Sequence, residues 1–202
     1  MTIPGNQRMT NHQLIDVDDS LFIVIDVQSN FTVKLEATPS QMFLERVCWL
    51  IGVANWCRVP LIVTVEDRDQ AGGPSPEVQR ALPPHTPIFN KMIFNLAGQA
   101  DILAAVVRTG RQTAVLVGLE TDVCIMQSAL GLTSRGYRAV VIADATCSPG
   151  EAHAAGLARL RDAGVLITDT KGLFYEWLRT VERTRRFAAE CPSLEVPTGL
   201  VL

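Results

Sequence analysis

Cys124 is the residue of this chain with the clearest potential for chemistry, because of the segment that precedes it. The apolar run 113–117 reaches Gly118, a short polar turn follows, and the cysteine then opens a predicted helix. Parallel sheets place functional groups at the carboxyl ends of their strands. A thiol in the first turn of a helix faces the positive end of the helix dipole, which favours its thiolate. Cys124 is therefore a candidate nucleophile, and a cysteine that only fills space in the core is the alternative.

Two other strand ends supply partners for this thiol. Asp26 lies near the carboxyl end of the apolar run 21–27, and Lys91 follows a short predicted strand. A buried carboxylate is costly unless it is paired or neutral, so Lys91 can keep Asp26 charged and favour the thiolate. Asp26 can then take the thiol proton and later give it to a leaving amine. We expect the backbone N–H groups of Glu120 and Cys124 to receive the oxyanion.

The segments that must position these residues alternate between strand and helix patterns. Short apolar runs predict buried strands, and apolar residues at helical spacing predict the helices between them. Residues 66–87 are rich in Gly, Pro and Asp and are predicted to be one long loop. This alternation predicts a three-layer α/β/α fold with a six-stranded parallel sheet and helices on both of its faces. The predicted strands are 21–27, 60–65, 88–90, 113–118, 138–143 and 165–168, and the predicted helices are 39–59, 96–108, 124–135, 149–163 and 172–185.

Composition and charge narrow the classes of function. The 202 residues are 48% hydrophobic and 19% charged, which is typical of one globular domain, predicted here as an N-terminal arm 1–20, a domain 21–186 and a tail 187–202. A net charge of -3 gives no reason to expect nucleic acid or an anionic membrane as partner. The N-terminus lacks a signal-peptide pattern, and the five cysteines form no C-x-x-C pair. We therefore expect a cytoplasmic protein without disulfides or structural zinc.

Three segments, taken together, resemble the isochorismatase-like cysteine hydrolase superfamily. They are 23–28 with the sequence IVIDVQ, then Lys91, and 118–124 with the sequence GLETDVC, in the order and spacing of that superfamily. The resemblance implies a catalytic triad of Asp26, Lys91 and Cys124, a cis peptide bond at Leu119–Glu120, and an assembly of two or more copies. Members that cleave isochorismate carry a small residue in place of the cysteine, so Cys124 points to hydrolysis of an amide.

Nicotinamidases of this superfamily carry a metal site, built from an Asp and nearby histidines after the second strand. Here residues 64–70 read TVEDRDQ, and no histidine follows until His85. Zinc and iron sites favour imidazole ligands, so we predict a site without metal or other cofactor. The acidic residues of this segment, Glu66, Asp67 and Asp69, are predicted to belong to a solvated loop.

Other residues are assigned by their position alone. His153 is predicted to lie on the surface of a helix, and the aromatic cluster 174–178 to lie either in the core or at an interface between copies. We expect a homo-oligomer that buries part of this cluster. The predicted substrate-binding residues are Phe31, Phe94, Asn95, Leu119 and Thr121.

These features predict a metal-independent cysteine amidohydrolase. Its expected partner is a small carboxamide or ureido-type compound, cleaved at a C–N bond through a thioester intermediate. Two alternatives stay open, a metal-dependent nicotinamidase and a catalytically silent relative that acts as a binding or scaffold protein.

Overall fold

The computed structural model describes residues 14–202, apart from the side chains of residues 37–39. Its central element is a sheet of six parallel strands in the order β3-β2-β1-β4-β5-β6. The predicted α/β fold with a six-stranded parallel sheet is confirmed, whereas most of the predicted N-terminal arm, residues 1–13, lies outside the described residues. The strands are β1 (Ser20–Ile25), β2 (Leu61–Glu66), β3 (Ile88–Lys91), β4 (Thr113–Leu119), β5 (Arg138–Cys147) and β6 (Leu166–Thr168).

Helices connect the strands and cover both faces of the sheet. In chain order they are α1 (Ser29–Thr32), α2 (Ala37–Trp56), α3 (Arg68–Ala71), α4 (Pro76–Ala81), α5 (Ala100–Arg108), α6 (Met126–Thr133), α7 (Ala152–Asp162), α8 (Thr170–Leu178) and α9 (Val181–Glu190). Short 3-10 turns occupy Val17–Asp19 and Leu96–Gly98, and a π-helical turn occupies Thr121–Ile125. Within the described residues, no helix is long and apolar enough to cross a membrane.

The central strand β1 divides the hydrophobic core into two halves. Phe22 and Val24 face the half that contains α2, α8 and α9, whereas Leu21, Ile23 and Ile25 face the half that contains α5, α6 and α7. Every residue of β1 is buried, as expected for a parallel strand covered on both faces. The continuous apolar run in the sequence is therefore the direct consequence of two helical layers.

The predicted loop 66–87 is partly helical, which corrects that prediction. Helix α4 begins after Ser75, whose hydroxyl accepts a hydrogen bond from the Val78 amide at 3.4 Å, and Pro76 occupies the first helical turn. A serine cap followed by proline is a common helix start, because the cap satisfies a free N–H and proline has none to satisfy. The Ser75–Pro76 pair indicates this helix start in the sequence, but the glycines and prolines on either side favoured the prediction of a loop.

The predicted helix 172–185 is divided into α8 and α9. The chain leaves α8 through Arg179, which has a positive φ of 65°, and Thr180 then caps α9 by accepting a hydrogen bond from the Arg183 amide at 3.1 Å. Helix α9 continues through Phe187, which is buried in the core. Both short helices contribute buried residues to the same half of the core.

Two of the three aromatic residues in the cluster 174–178 pack inside the chain. Phe174 and Trp177 are fully buried. Their rings lie 5.0 Å from Trp49 and 6.0 Å from Phe22, respectively, measured between ring centroids. Tyr175 is the partly exposed aromatic residue of this helix. Phe174 and Trp177 therefore belong to the core, and the prediction that an oligomer buries part of this cluster now concerns Tyr175.

Candidate active site

All six parallel strands end at the same edge of the sheet, and the strand order reverses between β1 and β4. Open parallel sheets bind their ligands outside the carboxyl ends at such a point. Asp26 follows β1 and adopts a positive φ of 53°, which few residues other than glycine, asparagine and aspartate tolerate. Its amide donates to the Thr64 carbonyl at 3.0 Å, and its carboxylate accepts a hydrogen bond from the Thr64 hydroxyl at 2.8 Å. The neighbouring strand β2 thereby fixes the buried carboxylate.

The end of β4 approaches β1 so closely that only glycine fits there. Gly118 has a φ of 124°, and a Cβ at this position would lie 2.0 Å from the Ile25 carbonyl oxygen. The Leu119–Glu120 peptide bond that follows is cis. The chain then forms the π-helical turn Thr121–Ile125, so Cys124 lies in this turn and not in the first turn of α6.

Lys91 joins the other two predicted residues. It ends β3, is fully buried, and places its Nζ 2.8 Å from Asp26 Oδ2 and 3.4 Å from Cys124 Sγ. The structure therefore brings together the acid, the amine and the thiol that sequence reasoning selected at three strand ends. The ammonium group lies between a carboxylate and a sulfur atom, where it can stabilise negative charge on either one.

A second carboxylate, which the sequence analysis missed as a site residue, also contacts the thiol. Glu66 ends β2, and its Oε2 accepts a hydrogen bond from the Cys124 thiol at 3.2 Å and lies 3.6 Å from Lys91 Nζ. The prediction that Glu66 belongs to a solvated loop is wrong. The signal that could have identified it is its position, because Glu66 follows a buried apolar strand just as Asp26 does.

The main chain at Glu66 is held by a buried amide side chain. Gln28 accepts a hydrogen bond from the Glu66 amide at 2.7 Å and donates to the Glu66 carbonyl at 2.9 Å. The same Gln28 amide also donates to the Gly72 carbonyl at 2.9 Å. On the opposite edge of β2, Glu66 is paired with Lys91 of the neighbouring strand β3. The backbone that carries the second carboxylate is thus held between two strand ends.

Burial dominates the protonation of the groups around the sulfur. Burial raises the pKa of the Cys124 thiol, the Asp26 carboxylate raises it further, and the Lys91 ammonium lowers it only in part. Burial also raises the pKa of Asp26 against the opposing effect of Lys91. Burial lowers the pKa of Lys91, but Asp26 and Cys124 raise it above its ordinary value. These directions oppose the expected stabilised thiolate and favour a neutral Cys124 thiol beside a charged Lys91 ammonium.

A cavity of about 140 Å³ opens over Cys124. Phe31, Phe94 and Leu119, three of the predicted substrate-binding residues, line it together with Lys34 and other groups. Lys34 Nζ lies 3.9 Å from Glu120 Oε1 at the same cavity. A larger groove of about 740 Å³, lined by residues of α1, α2 and α4, contains none of the groups that surround Cys124. The smaller cavity is therefore the one where the thiol can meet a ligand.

Asn95 does not line this cavity, which corrects its prediction as a substrate-binding residue. Its side-chain oxygen accepts a hydrogen bond from the Ala97 amide at 3.0 Å and caps the 3-10 turn Leu96–Gly98. The side chain also packs so tightly on α6 that a Cβ at Gly131 would lie 2.2 Å from its Oδ1. Asn95 supports the loop behind Lys91 and does not face the thiol.

Thr121 also lies outside the cavity, in a polar network that holds the turn carrying Cys124. Its amide donates to the Ser148 hydroxyl at 2.8 Å, and Ser148 donates to the Asp122 carboxylate at 2.7 Å. The Thr121 hydroxyl pairs with His153 Nδ1 at 2.9 Å. His153 is therefore half-buried against this turn rather than on the surface as predicted, and burial lowers its pKa. Residues after β5 and on α7 thus hold the turn that carries Cys124 from the side away from the cavity.

The cluster around the sulfur is a poor fit for a metal ion. A carboxylate oxygen of Asp26, one of Glu66 and Cys124 Sγ lie within 4.8 Å of one another. However, the Lys91 ammonium lies within 3.6 Å of all three groups, where its charge would repel a cation. The set also lacks the imidazole ligands that zinc and iron favour. The donor atoms present are better suited to holding an ammonium group than a metal.

Comparison with known proteins places the chain among relatives of one family. The family model for the isochorismatase domain matches residues 20–172. Isochorismatase family protein 2A of Dictyostelium discoideum is 30% identical over 169 residues, which make up 80% of this chain and 82% of that protein. The family match extends over the segments that contain Asp26, Lys91 and Cys124.

Solved structures share the fold. YcaC from Pseudomonas aeruginosa, in a structure with hexane-2,5-diol and covalent acrylamide, superposes with a TM-score of 0.79 at 22% identity and covers 91% of this chain and 94% of its own. YcaC of Escherichia coli, described as an octameric hydrolase of unknown specificity, has a TM-score of 0.77 at 22% identity and covers 91% of this chain and 93% of its own. At these identities the likeness establishes the fold.

Proposed function

The chain belongs to the isochorismatase domain family, and from that premise we propose that it is a cysteine-dependent hydrolase of small amides. Membership of the family indicates a hydrolase. The finer proposal is that the protein cleaves the C–N bond of a small carboxamide or ureido-type compound through a thioester on Cys124. Asp26, Lys91 and Cys124 are the proposed catalytic residues, and no cofactor takes part.

One observation carries this proposal, namely the position of the Lys91 ammonium between the thiol and the carboxylate. Nζ lies 3.4 Å from Cys124 Sγ and 2.8 Å from Asp26 Oδ2. A packed core cysteine needs no buried ion pair beside it, and such a pair is costly to bury for stability alone. A nucleophile, in contrast, needs a base to take its proton and a cation to stabilise the charge that develops.

The proposed reaction proceeds in two balanced halves. Asp26 takes the thiol proton as the sulfur attacks the carbonyl carbon, and the carbonyl electrons move to oxygen. The oxyanion then collapses, the C–N bond breaks, and Asp26 returns the proton to the leaving nitrogen, which leaves a thioester. Water attacks the thioester with Asp26 as base, and the C–S bond breaks to release the acid and restore the thiol. The same carboxyl group thus serves as base and acid in each half.

The high pKa of the thiol determines when the proton moves. Because burial opposes a charged sulfur, proton transfer to Asp26 occurs with attack on the substrate and not before it. Burial raises the pKa of Asp26, which makes this carboxylate a stronger base for the transfer. We propose that the Glu120 and Cys124 amides bind the oxyanion. The Thr121 amide donates to Ser148 instead.

A panel of small amides tests this function. Ammonia or amine release is measured with the purified protein, and Cys124→Ala is the control. We expect turnover of at least one neutral amide, loss of all turnover in Cys124→Ala, and a thioester-linked mass adduct on Cys124 during turnover. Absence of turnover and of any adduct across the panel would favour the silent scaffold. Activity that a chelator removes, with stoichiometric metal in the protein, would favour the metal-dependent nicotinamidase.

A further inference from the structure

The charges that surround the cavity leave one carboxylate without a cation of its own. The Lys91 ammonium forms the close ion pair with Asp26, and Lys34 faces Glu120. Glu66 lies 3.6 Å from the same Lys91 that Asp26 already contacts at 2.8 Å. Among the described residues at this cavity, three carboxylates therefore meet two ammonium groups, and the excess negative charge lies beside the nucleophile.

The Glu66 carboxylate is also the acidic group that a ligand meets directly above the sulfur. Its side chain is 26% exposed, whereas the Asp26 side chain is 1% exposed. Glu66 already accepts the thiol proton in a hydrogen bond at 3.2 Å. An amide attacked by Cys124 therefore brings its polar groups close to Glu66. A carboxylate accepts hydrogen bonds only, so it favours N–H donors and disfavours other anions.

The volume of the cavity limits what fits there. About 140 Å³ is the space of about five water molecules. A carboxamide group with one or two further carbons fills it, and any longer portion must extend past Lys34 and Phe31 at the opening. The first atoms of a substrate therefore lie within reach of Glu66, and their charge decides whether the substrate enters.

From these relationships we infer that Glu66 is the specificity-determining residue of the site. It binds the N–H of the substrate and restricts the enzyme to small amides that are neutral or cationic near the scissile bond. When the amide N–H replaces the thiol as the donor to Glu66, the thiol proton is free to turn toward Asp26. Substrate binding and activation of the nucleophile are then coupled through one carboxylate. This inference rests on the proposed function for the identity of the reaction.

Two alkylating reagents test the charge selection without any turnover. Iodoacetamide and iodoacetate carry the same leaving group, and they differ in having a neutral carboxamide or a carboxylate. Rates of modification at Cys124 are measured by mass spectrometry of the full-length protein. The ratio of the two rates is divided by the ratio for 2-mercaptoethanol. Because both reagents need the same thiolate, changes in the pKa of Cys124 cancel in this ratio.

The expected ratio at Cys124 favours iodoacetamide by about tenfold over the free thiol, since a like charge lies a few ångströms from the incoming carboxylate. Glu66→Gln should lower the ratio toward that of the free thiol, and Glu66→Asp should retain it. Glu77→Gln, which removes the same charge from α4, should leave it unchanged. A wild-type ratio equal to that of 2-mercaptoethanol overturns the inference even if Glu66→Gln does not fold. An unchanged ratio in folded Glu66→Gln overturns it as well.

A second measurement separates this inference from the proposed function. Malonamide and malonamate have nearly the same size, but only the second is an anion, and its carboxylate is short enough to stay inside the cavity. We expect kcat/KM to favour malonamide by about tenfold in the wild type and by much less in Glu66→Gln. Equal turnover of both amides would refute the role of Glu66 and leave the hydrolase intact. No turnover of any amide would refute the hydrolase, and the alkylation ratio would still decide the role of Glu66.

Discussion

Gln28 binds both main-chain polar groups of Glu66, accepting a hydrogen bond from its amide at 2.7 Å and donating to its carbonyl at 2.9 Å. The two residues are far apart in the sequence, yet each follows or ends a strand of the same sheet. A side-chain amide in this position mimics the missing neighbour of a strand, because it offers one donor and one acceptor. These two hydrogen bonds fix the backbone at the end of β2, where the Glu66 carboxylate contacts the Cys124 thiol.

Replacing Gln28 by methionine should therefore destabilise the protein. The change keeps the volume but leaves the Glu66 amide and the Glu66 and Gly72 carbonyls without their partner, which we expect to lower the free energy of unfolding by about 3 kcal/mol. Urea unfolding measures the effect. Gln41→Met is the control, since that amide lies exposed on α2 and bonds Glu45. Equal midpoints for the two variants would show that the Gln28 bonds contribute nothing.

Asp26→Asn should lower amide turnover by about two orders of magnitude or more, because the amide cannot accept the thiol proton. The side chain keeps nearly the same shape and can still accept a hydrogen bond from Thr64. Steady-state kinetics on the best amide of the panel, with circular dichroism to verify the fold, provides the measurement. Turnover within about threefold of the wild type would remove Asp26 from the mechanism.

Lys91→Met should be destabilising by about 3–5 kcal/mol at neutral pH, because it leaves the buried Asp26 carboxylate without its cation. Burial raises the pKa of Asp26, so the folded variant holds a proton at a pH where the unfolded chain has lost it. The deficit should therefore shrink as the pH falls toward the ordinary pKa of an aspartate. Denaturant melts across this pH range measure it. The double variant Asp26→Asn with Lys91→Met should recover much of the loss, and a pH-independent deficit would contradict the account.

The alkylation of Cys124 should depend steeply on pH. Because burial raises the pKa of this thiol, the thiolate fraction rises about tenfold per pH unit from about pH 7 to about pH 9, and the iodoacetamide rate should follow it without a plateau. Cys57, whose pKa burial raises to about 11, provides an internal comparison in the same digest. A plateau near neutral pH would demonstrate a stabilised thiolate and would contradict the protonation state derived from the burial of the site.

We predict that the protein forms a homo-oligomer, as its resemblance to the isochorismatase-like superfamily implies. Sedimentation should give a mass above the 22.1 kDa of one chain. Since Phe174 and Trp177 lie in the core, Trp177→Ala should act on stability, by about 3–5 kcal/mol, and not on the state of assembly of the folded protein. A monomer at micromolar concentration would refute the prediction.

The sequence was sufficient to predict the sheet and the positions of three site residues, because both depend on local patterns. Buried parallel strands appear as short apolar runs, and the residue after such a run lies at the functional edge. The same rule applies to Glu66, but its neighbours Asp67 and Asp69 made the segment resemble solvated loop. Charge density in a sequence does not show which one of several carboxylates points inward, since strand register and the Gln28 bonds decide that.

Other differences arise from tertiary contacts that no local pattern specifies. Asn95 and Thr121 were placed near the thiol by sequence distance, but one caps a 3-10 turn and the other bonds Ser148 and His153. The protonation of Cys124 was likewise set by burial among charged neighbours. A helix dipole is a property of local structure, whereas desolvation depends on everything that surrounds the group.

The close approach at Gly118 has a consequence for how this enzyme can change over time. Strands β1 and β4 stay in register up to Ile25 and Gly118, so main-chain hydrogen bonds fix the two strand ends from which the segments with Asp26 and Cys124 continue. Residues that shape the opening, such as Phe31 and Phe94, come from segments outside that ladder. Substitutions at the opening can therefore change which substrates bind, while the residues around the thiol stay in place. A family with this arrangement can acquire new substrates and keep the same reaction.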